Sequence, residues 1–101
     1  MQIETRVEPN LMVITPLEAR VDAHVAPAFR TALLECIEGG HHNLMVDMAK
    51  VEFIDSSGLG ALVSALKRLG RDGDLKVCSL NAAVRSMFEL TRLNRVIPIA
   101  D

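Results

Sequence analysis

The chain has 101 residues, of which half are apolar, and its formal net charge is -2. This length fits one domain, so we expect residues 1–101 to form a single unit around an aliphatic core, with three phenylalanines and no Trp or Tyr. The weak negative charge excludes broad attraction to nucleic acid, the few aromatic side chains argue against base stacking, and no apolar run reaches the roughly 18 residues that span a membrane.

Residues 3–16 predict an antiparallel hairpin. Apolar and polar residues alternate over residues 3–7, which is the period of a half-buried strand. Residues 8–10 read Glu-Pro-Asn, a turn signal, and residues 11–15 form a short apolar run that ends at a proline. The segment that follows, residues 17–24, is predicted to be an irregular connection.

Residues 25–38 predict the first helix. Pro27 fits its first turn, and Gly39 with Gly40 ends it. Its apolar residues recur at spacings of three and four, which places them on one face. That face consists of Val25, Phe29, Ala32, Leu33, Cys36 and Ile37.

Two further strands flank a second helix. Residues 44–48 read as a central strand, residues 50–55 lead from it to a turn, and residues 75–79 read as another strand. Between them lies a helix with one apolar stripe, which Gly70 and Gly73 close. The stripe consists of Leu59, Leu62, Val63, Leu66 and Leu69.

The C-terminal segment predicts a third helix and a last strand. Asn81 is a suitable N-cap for a helix through about Thr91. The residues expected to be buried in that helix are Val84, Met87, Phe88 and Leu90. Residues 96–99 read as a short strand, which Pro98 restricts to the edge of a sheet.

The order of these elements predicts the fold class. Strands and helices follow each other as β-β-α-β-α-β-α-β, which is typical of the α/β class. Strands that alternate with helices pair in parallel, whereas the N-terminal hairpin adds one antiparallel pair. We therefore expect a single domain with a mixed sheet of four to five strands and helices mainly on one face.

The chain start and the cysteines predict a location. The first residues, M-Q-I-E-T, lack the basic and apolar regions of a secretory leader. Cys36 and Cys78 lie far apart in apolar settings, and we expect both to be reduced core residues rather than a disulfide. The prediction is a cytoplasmic protein that does not associate with a membrane.

Residues 51–60, V-E-F-I-D-S-S-G-L-G, carry the most informative pattern. An apolar segment stops at Asp55, two hydroxyls follow, and two glycines introduce an amphipathic run. The pattern places Ser56 and Ser57 at a helix start, where backbone N–H groups have no partner within the helix. A serine there can cap the helix, or it can carry a phosphate that these N–H groups and the helix dipole favour. From the residues alone both roles stay open.

Enzyme and ligand sites fit the chain poorly. The hydrolase elbow G-x-S-x-G requires a glycine two residues before the serine, but Ile54 and Asp55 occupy those positions. A dinucleotide loop lacks its third glycine; we expect Gly58 to permit the turn and Gly60 to let the helix approach its neighbours. Together with Cys36 the histidines match no zinc spacing. They are His24, His41 and His42. We predict no catalytic residue, cofactor or metal in this domain.

The segment D-S-S-G-L-G, after an apolar strand and before an aliphatic helix, resembles the anti-sigma factor antagonists of the STAS domain family. The resemblance extends over nearly the whole chain. It includes the dipeptide Val21-Asp22, the strand 44–47 and the run N-A-A-V-R-S-M-F-E-L-T-R-L within residues 75–93. One departure is Ala19, where the family usually has a glycine, and it leaves the shape of the loop around Asp22 open.

The resemblance implies a phosphorylation switch. In the family, an anti-sigma factor that is also a serine kinase phosphorylates the serine directly after the aspartate, which is Ser56 here. The unphosphorylated form binds the kinase and frees its sigma factor, phosphorylation breaks the complex, and a separate phosphoserine phosphatase restores it. ATP and magnesium belong to the kinase. The partner-binding residues that the resemblance implies are Asp22, Asp55, Ser57, Gly58, Leu59 and Gly60, with Ser57 as the structural hydroxyl.

Two other roles stay open for a domain of this family. One is a STAS scaffold that is held constitutively in a larger assembly and is never phosphorylated. The other is a partner switch whose output is not a sigma factor.

Overall fold

A computed structural model describes residues 1–100 of the chain. In chain order its elements are β1 (Ile3–Glu8), β2 (Leu11–Pro16), β3 (Arg20–Val21), α1 (Ala26–Glu38), β4 (Asn43–Asp47), β5 (Phe53–Ile54), α2 (Ser56–Leu69), β6 (Asp74–Cys78) and α3 (Ala82–Leu90). Short 3-10 turns cover Gly70–Asp72 and Leu93–Arg95. Strands and helices therefore alternate after an N-terminal hairpin, as the sequence predicts.

The main sheet has the strand order β1-β2-β4-β6. β1 runs antiparallel to β2, whereas β2, β4 and β6 are parallel, so the predicted mixed sheet is confirmed. Alternate strand residues such as Ile14, Leu44 and Val77 are fully buried and share one hydrophobic core with residues of all three helices. Val13, between two core residues of β2, is also buried but does not belong to this cluster, because its side chain points to the other face of the sheet. The helices therefore cover one face of the sheet.

The prediction of a last strand over residues 96–99 is wrong in its length. Within the described residues only Ile99 forms a bridge there, parallel to Val77 of β6. The preceding segment is tied into a 3-10 turn, because the Val96 N–H donates to the Leu93 carbonyl at 3.0 Å, and the Ile97 N–H donates to the same carbonyl at 2.8 Å. The bridge does lie beside β6 at the edge of the sheet, and there the Pro98 carbonyl accepts a hydrogen bond from the Val77 N–H at 3.0 Å.

A second, two-stranded sheet was missed by the sequence analysis. β3 pairs in parallel with β5, with Arg20 opposite Phe53 and Val21 opposite Ile54. The prediction of an irregular connection over residues 17–24 is therefore wrong for two of its residues. Two residues are too few to reveal an alternation of apolar and polar side chains, and their strand conformation depends on a partner far along the chain.

The first two helices pack against each other. Pro27 lies in the first turn of α1, as predicted. In α2, Ala61 and Ala65 are buried, whereas Val63 and Leu66 of the predicted stripe are only partly buried. The small side chains of Ala61 and Ala65 permit a close contact between the helices. Within residues 1–100, no helix combines the length and the apolar character that crossing a membrane requires.

The third helix begins as predicted but buries fewer residues. The Asn81 side chain caps it by accepting a hydrogen bond from the Val84 N–H at 2.8 Å. Val84 and Phe88 are fully buried, four residues apart on one face. The predicted burial of Leu90 is wrong, since 81% of it is exposed. Leu90 follows Phe88 by two residues, which corresponds to about 200° around the helix and turns it away from the core.

The two cysteines are thiols and are not joined in a disulfide. Both are half-buried, and Cys36 packs against the hydrophobic core. Burial raises the pKa of the Cys36 thiol, and the neighbouring Glu35 carboxylate raises it further. Cys36 therefore stays protonated at neutral pH and is a weak nucleophile.

Candidate functional site

The two aspartates predicted at this site follow two paired strands. Val21 of β3 lies opposite Ile54 of β5, and the strands are parallel. Asp22 and Asp55 are the next residues, so both come at the same end of the small sheet. The Asp55 N–H donates to the Val21 carbonyl at 3.3 Å, which extends the pairing by one step. The pairing of β3 with β5 thus brings together residues that are far apart in the sequence.

Asp55 is the N-cap of α2. Its backbone is extended, and its Oδ1 accepts hydrogen bonds from the N–H groups of Ser57 at 2.9 Å and Gly58 at 3.1 Å. Its carbonyl accepts a helical hydrogen bond from the Leu59 N–H at 3.0 Å. The carboxylate therefore satisfies two N–H groups that a helix start leaves without partners, and its charge complements the helix dipole.

This cap redefines the roles of the two serines. Of the two roles that the residues left open for a serine here, the capping role belongs to the Asp55 carboxylate instead. The expectation that a phosphate would face free N–H groups is wrong for those of Ser57 and Gly58, which Asp55 already binds. Ser56 and Ser57 are the first two residues of α2, and both are exposed. Their hydroxyls are therefore accessible from solvent.

Asp55→Ala is expected to lower the free energy of unfolding by about 1 kcal/mol, because both capped N–H groups lose their acceptor. Asp55→Asn keeps an acceptor oxygen in the same place and is expected to change the stability by only a few tenths of a kcal/mol. Urea unfolding of the two variants and the parent measures this difference. Equal loss in both variants would show that the charge of Asp55, and not its capping oxygen, is what matters.

Gly58 has the role that was predicted for Gly60, and Gly60 has neither predicted role. A Cβ on Gly58 would lie 2.5 Å from the Val21 carbonyl oxygen and 2.6 Å from Ile54 Cγ1, so only a glycine lets α2 start directly over the small sheet. The turn itself does not require glycine there, since Gly58 does not have a positive φ. Gly60 is exposed, and a Cβ on it would meet no atom within 4 Å.

The predicted partner-binding residues divide into an inner and an outer set. Gly58 is buried against the strands, and Leu59 is 5% exposed and belongs to the hydrophobic core. Ser56, Ser57 and Gly60 are exposed on α2. The inner residues fix where the helix starts, and the outer residues form the surface that another molecule can touch.

The connection after Asp22 has a defined geometry. Asp22 Oδ1 accepts a hydrogen bond from the His24 N–H at 3.0 Å. The Asp22 carbonyl accepts two more, from the N–H groups of Val25 at 3.1 Å and Ala26 at 2.8 Å. Asp22 therefore links the end of β3 to the start of α1, at the same end of the small sheet as the start of α2.

Ala19 fits where a glycine was expected. Its carbonyl accepts hydrogen bonds from the N–H groups of Glu52 at 2.7 Å and Phe53 at 3.0 Å. Ala19 does not have a positive φ, so its side chain causes no backbone strain. These two hydrogen bonds hold the segment before β3 against the segment before β5.

Arg20 and Phe53 lie beside the site, and the sequence analysis did not predict them there. The Arg20 guanidinium lies 4.1 Å from the centroid of the Phe53 ring, and Arg20 Nε lies 3.7 Å from Asp22 Oδ2. Both interactions are exposed, so each is worth less than about 1 kcal/mol. The signal that could have located this sheet is an apolar residue followed by aspartate, which occurs both at Val21-Asp22 and at Ile54-Asp55.

A shallow groove of about 430 Å³ lies beside Ser57, between α1 and α2. Its lining consists mostly of small side chains, with one cation, Arg30. The lining residues are Ala23, Ala26, Pro27, Arg30, Ser57, Gly60, Ala61 and Ser64. A side chain of a partner could enter such a groove, and the charge of Arg30 would favour an acidic one.

The described histidines lie away from the groove beside Ser57 or are not grouped with carboxylates as metal ligands. Within residues 1–100, no group of three His, Cys, Asp or Glu side chains is placed to hold a metal ion. His41 and His42 line a different depression, of about 450 Å³, together with Asn10 and Asp74. They are not among the residues of the groove beside Ser57. The groove therefore offers a surface for binding and no general base from these two histidines.

Comparison with known proteins gives one consistent result. The model of the STAS domain family matches residues 2–101. The anti-sigma F factor antagonist of Paenibacillus polymyxa is 25% identical over 103 residues, which cover 100% of this chain and 87% of the relative. The match therefore extends over the whole domain and is not confined to the segment around Ser56.

Solved structures have the same fold. An anti-sigma factor antagonist from Mycobacterium paratuberculosis superposes with a TM-score of 0.88 at 24% identity, covering 97% of this chain and 83% of that one. SpoIIAA, a Bacillus cell fate determinant, superposes with a TM-score of 0.81 in its unphosphorylated form, at 19% identity and with 99% and 89% coverage. Its phosphorylated form gives 0.73, at 18% identity and with 99% and 92% coverage. At these identities the likeness is one of fold.

Proposed function

Because this chain belongs to the STAS domain family, we propose that it is an anti-sigma factor antagonist that is switched off by phosphorylation of Ser56. In this proposal the unphosphorylated domain binds an anti-sigma factor with serine kinase activity and so frees the sigma factor. Transfer of a phosphoryl group to Ser56 dissociates the complex, and a phosphoserine phosphatase restores the binding form. The antagonist function has support in relatives such as the anti-sigma F factor antagonist of Paenibacillus polymyxa.

The observation that carries the proposal is the position of Ser56. It is the first residue of α2, exposed, and next to a cap that is already provided by Asp55. Its hydroxyl is therefore not needed to start the helix and is available to a kinase. SpoIIAA, which has a similar fold, has been solved in a phosphorylated and an unphosphorylated form, and this supports phosphorylation of a domain with this fold.

Phosphorylation would change the surface and leave the fold intact. A phosphate adds about -1.5 to -2 charges at pH 7. At the first residue of α2 the helix dipole favours this charge, whereas the carboxylate of Asp55 opposes it. The two effects act in opposite directions and each is small at an exposed site, so the stability of the domain changes little.

The docking surface in this proposal is the exposed start of α2 together with the groove between α1 and α2. Ser57 and Gly60 belong to both. Gly58 and Leu59 support this surface from inside, and Asp55 and Asp22 define the ends of the strands behind it. A phosphate on Ser56 would lose its hydration when this surface docks, which is costly for binding.

The proposal is tested by incubating the protein with its cognate kinase in the presence of ATP and magnesium. The active site of the kinase requires both. Intact-mass spectrometry is expected to find one added phosphate, and fragmentation should place it on Ser56. Ser57→Ala should still be phosphorylated, since the acceptor is the Ser56 hydroxyl and not that of Ser57. Phosphate transfer that persists in Ser56→Ala would move the site elsewhere and contradict the proposal.

The partner itself is identified with the unphosphorylated protein as bait. The expected protein captured from the source cells is a serine kinase that also binds a sigma factor. Capture of a kinase without a sigma factor would indicate a partner switch with another output. A stable assembly in which Ser56 is never modified would instead indicate a constitutive scaffold.

A further inference from the structure

The outer edge of β1 is a second surface, and it shares no residue with the site around Ser56. β1 is the first strand in the order β1-β2-β4-β6, so its outer side pairs with no described strand. The opposite edge of the sheet is partly covered, because Val77 of β6 forms a bridge with Ile99. Exposed strand edges carry unsatisfied N–H and C=O groups and pair readily with another strand.

The hydrogen bonds of the hairpin decide which residues of β1 point outward. The Leu17 N–H donates to the Gln2 carbonyl at 2.9 Å, and Pro16, which has no N–H, lies opposite Ile3. In an antiparallel ladder, hydrogen-bonded and non-hydrogen-bonded pairs alternate. The even residues of β1 therefore bond to β2, and the odd ones direct their backbone groups to the open edge. The odd residues are Ile3, Thr5 and Val7.

From this geometry we propose that β1 pairs with β1 of a second copy of the chain, antiparallel, with Thr5 opposite Thr5 on the two-fold axis. Pairing of odd with odd residues satisfies the outward N–H and C=O groups. In this register Ile3 lies opposite Val7 of the second copy, and Glu4 lies opposite Arg6. Each pair occurs twice, as two-fold symmetry requires.

The side chains favour this register over its neighbours. A shift that places Glu4 on the axis puts Glu4 opposite itself. A shift that places Arg6 on the axis puts Arg6 opposite itself and Glu4 opposite Glu8. With Thr5 on the axis, both charged pairs are of opposite sign, and they occupy non-hydrogen-bonded positions, where side chains are closest. Among the registers centred on Glu4, Thr5 and Arg6, charge complementarity therefore selects the one with Thr5 on the axis, and this register also pairs more residues of β1 than one centred nearer its end.

The apolar pair explains an exposed side chain. Val7 is 67% exposed in the single chain, although it lies on the same face as the core residue opposite it in β2, Met12. In the dimer Val7 packs against Ile3 of the second copy. Arg6 already forms an ion pair with Glu8 at 2.6 Å, and in the dimer it lies between that carboxylate and Glu4 of the second copy.

One edge pair buries less surface than a standard stable interface, so the dimer is expected to be weak, with a Kd of about 10 µM to 1 mM. Sedimentation velocity of the full chain from 10 µM to 2 mM should show a reversible monomer–dimer equilibrium. Glu4→Arg alone and Arg6→Glu alone should each weaken it by at least about tenfold, because like charges then face each other twice.

Mixing these two variants provides the decisive readout. Glu4→Arg chains carry two basic residues and Arg6→Glu chains two acidic residues at the facing positions, so the mixture should form a heterodimer at least as tight as the parent dimer. Glu89→Arg, at an exposed residue of α3, is the matched control for charge and should leave the parent equilibrium unchanged.

Several results would overturn the inference. These are a parent chain that is monomeric at 2 mM, single variants that dimerise as well as the parent, and a mixture of the two that stays monomeric. Growth beyond a dimer would indicate edge-to-edge aggregation instead of a closed pair. The monomer could also bind an unrelated β-strand peptide at a concentration below that at which the chain dimerises. This result would assign the edge of β1 to a different occupant.

Discussion

Ser56→Asp is expected to weaken binding of the anti-sigma factor partner by about a hundredfold, which corresponds to about 3 kcal/mol, while the domain stays folded. The variant places a carboxylate within the proposed docking surface, where the loss of its hydration on binding is costly. The first turn of a helix tolerates an acidic side chain, so thermal unfolding should stay close to that of the parent. Titration calorimetry against the purified partner and circular dichroism measure the two quantities.

Two matched variants separate charge from shape. Ser56→Ala removes the hydroxyl without adding charge and should bind the partner as the parent does. Ser86→Asp adds the same charge at an exposed serine of α3 and should also bind normally. If Ser56→Asp unfolded, Ser56 would have a structural role; if it bound as tightly as Ser56→Ala, charge at this position would not be the switch.

Gly58→Ala is expected to destabilise the domain by about 3 kcal/mol, because the new Cβ would lie 2.5 Å from the Val21 carbonyl oxygen and 2.6 Å from Ile54 Cγ1. Relief requires α2 to move away from the small sheet, which also shifts Asp55 from the N–H groups that it caps. Chemical denaturation should show the loss of stability, and Tm should fall by roughly 10 °C or more.

Gly60→Ala is the matched control for this prediction. A Cβ at Gly60 meets no atom within 4 Å, and the residue does not have a positive φ. Alanine in place of glycine within a helix should therefore stabilise the domain by about 0.5–1 kcal/mol. If Gly60→Ala also lost partner binding, Gly60 would be a direct contact of the partner. Equal destabilisation by both substitutions would contradict the assignment of the close approach to Gly58.

The pair of glycines illustrates how far sequence reasoning reaches at this site. The sequence places two glycines at a helix start, and it predicts that the segment from Asp55 to Gly60 is the functional one. It does not reveal which glycine faces the strands, because that depends on where the helix begins. Asp55, Ser56 and Ser57 are all good capping residues, so the helix could start after any of them. The packing of Gly58 on Val21 fixes the start after Asp55.

The sequence by itself determined the α/β class, the order of the larger elements, the hairpin and the family resemblance around Ser56. These rest on local signals: the periods of apolar residues, the turn residues and a short motif. Only the tertiary structure decided the pairing of β3 with β5, the capping role of Asp55 and the exposure of Leu90. The strand pairing and the burial of α3 depend on which distant segments come together, and the cap depends on the packing of Gly58 on Val21, which fixes where α2 starts. Local periodicity does not contain that information.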